Sequence, residues 1–234
     1  DGPLLDSGIR SIVGHVQVPY CHGMTIGELA RFHNKKEKLG CKLTIIPMQG
    51  WKRSMSFCDT GLIWVPTSPN IPTADTALYY PLTGIIGEAA LANIGIGSAL
   101  PFRLIGAPWI AADLFAKKLN ALKLKGIHFH PFHFVPHYGS MKNKSCHGVL
   151  LTITNRRQYE PIKSAYLILS VVKALYPHAL SKILEREGMF TKVNGSRKIY
   201  RLLTEEKYPG WKMVSSYQKS RAAFIEERKS FLIY

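Results

Sequence analysis

The passage from Met48 to Thr73 divides this chain. It opens Met-Gln-Gly-Trp-Lys-Arg-Ser-Met and closes Trp-Val-Pro-Thr-Ser-Pro-Asn-Ile-Pro-Thr. So many turn residues and prolines exclude a long helix or a central strand. Yet the passage carries Trp51, Arg53, Trp64 and Asn70. A solvated linker has little reason to hold two tryptophans. An ordered loop of this kind is more often part of a binding surface. Aromatic faces beside a guanidinium and an amide suit a polar, ring-shaped ligand such as a sugar.

Ahead of that loop the pattern is strand, helix, strand. Ile9 to Val18 has strand character. Thr25-Ile-Gly-Glu28 is a capping box opening a helix that Gly40 stops. Leu43 to Met48 reads as a short strand, apolar enough to be buried on both faces. This order resembles the last unit of an α/β domain. Such a fragment is too short to build its own sheet and core, since below roughly 40–60 residues a core is marginal. It therefore packs onto the later part of the chain, or the rest of its domain lies elsewhere.

Behind the loop the pattern is mixed. A short helix is expected over Asp75–Tyr80 and a Gly-rich connection over Pro81–Gly97. A strand and turn come next from Pro101 to Trp109, then an amphipathic helix over Asp113–Leu122. Strands are expected at Ile127–Pro136 and Gly148–Thr154, and helices at Pro161–Tyr176, Gly195–Glu206 and Ser216–Lys229. The expected fold is thus α/β plus α+β. Residues 1–62 carry the α/β fragment, and residues 63–234 form an α+β domain large enough to fold alone; the family resemblance below makes the first the end of a truncated domain.

The net charge of +16 is spread along the whole chain rather than held in a tail. A solvated basic surface is the simpler account. A dedicated site for an anionic polymer (cell wall, nucleic acid or membrane surface) is the alternative. No RRM, KH or zinc-finger signature supports nucleic acid. No apolar run reaches membrane-spanning length, and no leader is visible at Asp1-Gly2-Pro3. Cys21, Cys41, Cys58 and Cys146 show no CxxC spacing and read as free thiols.

Four histidines crowd one segment: His128, His130, His133 and His137. On a strand, His128 and His130 face the same side, which suits a transition metal. Against that, Pro131 and Pro136 interrupt the ladder, and no Cys or carboxylate stands at ligand spacing. No metal and no cofactor are expected. Gly95-Ile-Gly97 lacks the third glycine of a dinucleotide fingerprint, and no GxSxG elbow occurs.

With only 15 carboxylates, elimination is informative. Most lie on helices or their ends. Glu88 stands alone between Asp75 and Asp113 in an apolar passage. Burial there would raise its pKa and fit it for general acid work; a carboxylate that accepts loop amides fits equally. A glycosidase normally needs two carboxyl groups, and no obvious pair is present. His22 stands just ahead of a helix N-terminus, where an anion is favoured, although a His packed into the turn is the simpler account.

These motifs together resemble the NamZ-type exo-β-N-acetylmuramidases of bacteria. The resemblance rests on Asp1-Gly-Pro-Leu-Leu5, His22-Gly-Met-Thr-Ile-Gly-Glu-Leu-Ala30, Met48-Gln-Gly-Trp-Lys-Arg-Ser-Met55 and Trp64-Val-Pro-Thr-Ser-Pro-Asn-Ile-Pro-Thr73. It continues through Leu104-Ile-Gly-Ala-Pro-Trp109, Cys146-His-Gly-Val149 and the closing Phe224, Arg228, Tyr234 pattern. The resemblance implies a Rossmann-like N-terminal domain, a smaller C-terminal domain and an active site in the cleft between them. It implies release of N-acetylmuramic acid from the non-reducing end of peptidoglycan fragments, in a periplasmic or extracytoplasmic setting.

For this chain it implies that His22, Trp51, Arg53, Asn70 and Glu88 line the cleft, with Trp51 or Trp64 stacking on a sugar ring. A non-catalytic glycan binder and a basic polyanion binder are the alternatives. Two departures stand out. The chain begins well inside the family's first domain, so the main catalytic acids are expected outside it and the fragment is expected to be catalytically dead. The family's Glu-Gly-Thr-Asn…Glu-Gly-Arg-Gly passage reads Glu88-Ala-Ala-Leu…Gly95-Ile-Gly97 here.

Overall fold

The computed structural model describes residues 1–234. Its centre is a three-stranded antiparallel sheet: β1 (Leu104–Ala107), β2 (Ile127–Phe134) and β3 (Cys146–Ile153), in the order β1-β3-β2. β3 lies in the middle, with Val149 opposite Ile105 on one side and Pro131 on the other. Close approach explains two glycines. A Cβ on Gly148 would lie 2.0 Å from the Ile105 carbonyl, and one on Gly106 would lie 2.5 Å from the Phe134 ring.

Helices surround this sheet. α1 (Ile26–Lys36) belongs to the first third of the chain. The others are α2 (Thr76–Glu88), α3 (Ala112–Asn120), α4 (Pro161–Leu175), α5 (Ser181–Glu185), α6 (Glu187–Asn194), α7 (Arg197–Glu205) and α8 (Pro209–Arg228). α4 is apolar on nearly every side, and Ile162, Ala165, Tyr166, Ile168 and Leu169 are all fully buried, as expected of a helix enclosed by its neighbours.

Most expected elements form within a few residues of their predicted ends. Two expectations fail in instructive ways. α2 runs to Glu88, through the first half of the stretch read as a Gly-rich connection, with Pro81 inside it. An interior proline costs about 3 kcal/mol, but Leu82, Ile85 and Ile86 on this helix are essentially inaccessible to solvent. Burying three such side chains offsets that cost. Gly87 allows the helix close to the next turn, because a Cβ there would sit 2.5 Å from Ile94.

The second failure concerns the expected strands before the loop. α1 forms with its full capping box. Ile9–Val18 and Leu43–Met48, however, join no sheet; only an isolated Leu4–Pro19 bridge occurs there. Residues 42–47 take part in no backbone–backbone hydrogen bond. Nor is Leu43–Met48 buried on both faces: Ile45 packs against Gly27 of α1, while Ile46 is 89% exposed. A strand needs a partner ladder, and these 234 residues provide none at that position.

Two clusters hold the molecule. A large one of 36 buried residues spans the sheet and helices α2 to α8. A small one joins Met24 and Phe32 to Phe224 and Phe231 at the far end of the chain. Phe32 meets both phenylalanines edge to face. No helix is long and apolar enough to cross a membrane.

Candidate functional site

The capping box of α1 does more than start a helix. Thr25 Oγ1 accepts the Glu28 amide, and Glu28 Oε2 accepts the Thr25 amide at 2.7 Å. The second carboxylate oxygen, Oε1, accepts Arg53 Nη2 at 2.5 Å and the Ile233 amide at 2.7 Å. Glu28 is completely buried. Burial alone would raise its pKa. The Ile233 amide, the Arg53 guanidinium and the Thr25 amide outweigh that and bring it down to about 2.

The same cations shape the turn before the helix. Arg53 donates to the Gly23 carbonyl at 2.7 Å, and Arg228 donates to the His22 carbonyl at 2.6 Å. Gly23 has φ +62°, and a Cβ there would fall 2.4 Å from Arg228 Nη1. Burial, then the nearby Arg53, lowers the Arg228 pKa, while Glu28 opposes the fall. Three distant stretches thus meet at one turn: the Tyr20–Thr25 passage, the loop at Arg53 and the C-terminal helix end.

His22 stands at the top of this turn. Its Nδ1 accepts the Met24 amide at 3.2 Å. Burial first, with Arg228 adding to it, pushes its pKa down. With Nδ1 accepting that amide, the proton of the neutral imidazole sits on Nε2. His22 lines a cavity of about 370 Å³ together with Tyr20, Leu29, Tyr80, Lys192 and Asn194. That is near the lower end for small-molecule sites, roughly 300–1,000 Å³. Tyr20 has its pKa raised by burial first, then by Tyr80, with a further contribution from Glu88. One wall is aliphatic, and the polar side chains are the imidazoles of His15 and His22, two phenols, an amide and an ammonium, a lining suited to a polar ring compound.

The structure gathers only some of the residues expected in a cleft. His22, Arg53 and Trp51 fall together, with Trp51 edge-on to Tyr234 and beside the Arg53 guanidinium. Trp64 stands apart, edge-on to Phe57, its indole N–H buried without a partner. Asn70 Oδ1 accepts the Tyr138 hydroxyl at 2.8 Å and so ties the loop to the second region. Glu88 closes α2 with its side chain exposed, so the burial expected of it does not occur. The local pattern around Glu28 shows only its capping role and gives no sign of its bonds to Arg53 and Ile233. Tyr80 and Asn194 also reach the cavity without any local pattern that marks them.

Comparison with known proteins supplies the family. A profile described as "Exo-beta-N-acetylmuramidase NamZ, N-terminal" matches residues 1–75, and its C-terminal counterpart matches residues 78–234. The chain belongs to the NamZ family. It is 37% identical over 234 residues to the peptidoglycan β-N-acetylmuramidase NamZ of Bacillus subtilis strain 168, covering 100% of this chain and 56% of that protein. It thus spans about half the length of that curated relative.

A crystal structure of a DUF1343 family protein from Bacteroides fragilis superposes with a TM-score of 0.93 at 34% identity, over all of this chain and 62% of that one. A second DUF1343 protein of the same organism, 22% identical, gives 0.68 over the same shares and shares the fold.

Proposed function

We propose that this NamZ-family chain forms the C-terminal part of an exo-acting glycoside hydrolase. Its substrate is the non-reducing N-acetylmuramic acid end of peptidoglycan fragments, in a periplasmic or extracytoplasmic compartment. The likeness to the Bacillus subtilis muramidase over the whole chain carries this reading. The relatives are longer. In our reading their additional Rossmann-like portion covers the exposed apolar side of residues 12–65 and gives Leu43–Met48 its missing ladder, the domain boundary falling after residue 62.

The cleft then opens beside His22. Its Nε2–H donates to a sugar oxygen, and Trp51 or Trp64 offers a ring face. Arg53 is engaged by Glu28 and Gly23, so it holds the His22 turn in place instead of reaching the sugar. Asn70 fixes the loop wall through Tyr138. Hydrolysis needs two carboxyl roles. Glu88 is exposed in this chain, so it supplies one only where the relatives' additional portion covers it, and the other lies outside this chain.

The test compares this chain, the protein extended to its relatives' length and its Glu88→Gln variant on a chromogenic β-N-acetylmuramide. We expect turnover by the extended protein, a loss of at least ~100-fold in kcat for Glu88→Gln, typical of general-acid removal, and none by this chain alone. A well-folded extended protein without turnover overturns the hydrolase reading. Unchanged turnover by Glu88→Gln overturns only the role of Glu88.

A further inference from the structure

The histidines left unused by the proposed function have a second story. The sequence places His128, His130, His133 and His137 in one segment, but the strand sorts them. His128 and His130 lie on one face of β2, their rings 4.7 Å apart. His133, an odd number of positions on, lies on the opposite face. There it pairs across the ladder with His147 of β3, a residue outside the predicted cluster. The two Nδ1 atoms are 2.7 Å apart and the rings stand at 71°.

We propose that His133 and His147 form a chelating site for a square-planar divalent metal, Cu(II) or Ni(II). Two facts about the pair support it. First, the separation is right. Nitrogens about 2.0 Å from one metal are ~2.8 Å apart at a right angle and ~3.3 Å apart at the tetrahedral angle of zinc. The observed 2.7 Å is near the first value. Second, the scaffold is fixed. β3 is the central strand, so His147 is held by Ala107 of β1 on one side and His133 of β2 on the other.

A pre-set second ligand raises affinity because its attachment is intramolecular. His133 is exposed and His147 half-buried, so the remaining metal positions face water. No third His, Cys, Asp or Glu joins them. In the metal-free state one imidazole donates its Nδ1 proton to the other. On binding, that proton moves to the ring's own Nε2, so both Nδ1 lone pairs turn to the metal with no net proton released. The overall positive charge opposes a cation and caps the affinity.

The experiment titrates the untagged full chain with Cu(II) and follows binding by calorimetry and by electron paramagnetic resonance. We expect a site with two nitrogen ligands, and a loss of roughly tenfold or more in affinity in His133→Asn and in His147→Asn. The double variant His128→Asn/His130→Asn is expected to bind as the unmodified chain does. His133 is exposed, so its variant folds even where His147→Asn does not. Undiminished affinity in His133→Asn overturns the proposal, as does a spectrum with one nitrogen ligand or loss of the site in the His128/His130 variant.

Discussion

Residues 1–75 and residues 76–234 are held together by different means. Every one of the 36 residues in the main core comes from Tyr79 onward. The first stretch adds only Met24 and Phe32 to a four-residue cluster shared with the C-terminus. It also carries ten large apolar side chains that face solvent, among them Ile12, Ile26, Ile46 and Ile63. The second region is self-sufficient by apolar burial. The first is fastened to it by the Glu28 carboxylate on the Ile233 amide, Arg228 on the His22 carbonyl, the Asp1 carboxylate on the start of α4 and a few aromatic rings. Where a region cannot bury enough surface, directional polar contacts fix its position.

Glu28→Gln attacks that fastening most directly. It leaves Arg53 without its counter-charge and is expected to cost about 3 kcal/mol or more, as for other buried pairs broken from one side. Hydrogen exchange should show α1 losing protection while the sheet keeps its own; equal loss in both regions would erase the contrast between them. Phe32→Ala should cost a similar amount, roughly 3–5 kcal/mol, again confined to α1 and the C-terminal end, whereas Phe115→Ala in the main core should lower the melting temperature of the whole.

Acid offers a third probe of the same joint. The folded pKa of Glu28, about 2, lies below its ordinary 4.5. Its stabilisation is therefore complete above pH 4.5 and is lost as pH falls toward 2. Trp51 and Trp64 fluorescence should report loosening of the first region over that window, and Glu28→Gln should abolish this dependence.

Lys173→Met probes the other region. Lys173 donates to the carbonyls of Leu203, Thr204 and Glu206 at 2.7, 2.9 and 2.8 Å, closing the C-terminus of α7. Its loss should cost about 1–3 kcal/mol, with chemical denaturation as the readout and α1 exchange unaffected. Asp1→Ala, the mildest, removes a cap and should cost about 1 kcal/mol.

How much of the fold is legible in the sequence depends on range. The capping box at Thr25 and Glu28, the Pro161 start of α4 and the strands around Val149 depend on neighbours within a few residues, and each can be read directly. α2 cannot, because Pro81 and its glycines argue locally against a helix that only burial of Leu82, Ile85 and Ile86 sustains. Leu43–Met48 reads as a buried strand because its residues suit one, while its pairing depends on chain lying elsewhere.

Around the candidate site, His22 and Arg53 are visible as motif residues. The bond from Arg53 to Glu28 is not, since it spans 25 positions. Neither is the pairing of His133 with His147, because register is settled by the whole hairpin. Glu88 stands out for its isolation in sequence, and isolation there says nothing about exposure in space.

The carboxylate of Asp1 has a consequence for order in time. Its Oδ2 accepts the amides of Ile162 and Lys163 at 2.9 and 3.2 Å, and so finishes the first turn of α4 from 161 positions away. On the ribosome Asp1 emerges long before that helix exists. The central helix must then form without its lid and recapture the earliest part of this sequence afterwards. Such a late, long-range closure is slow to make, so docking of residues 1–75 should be the last event in folding and the first to reverse.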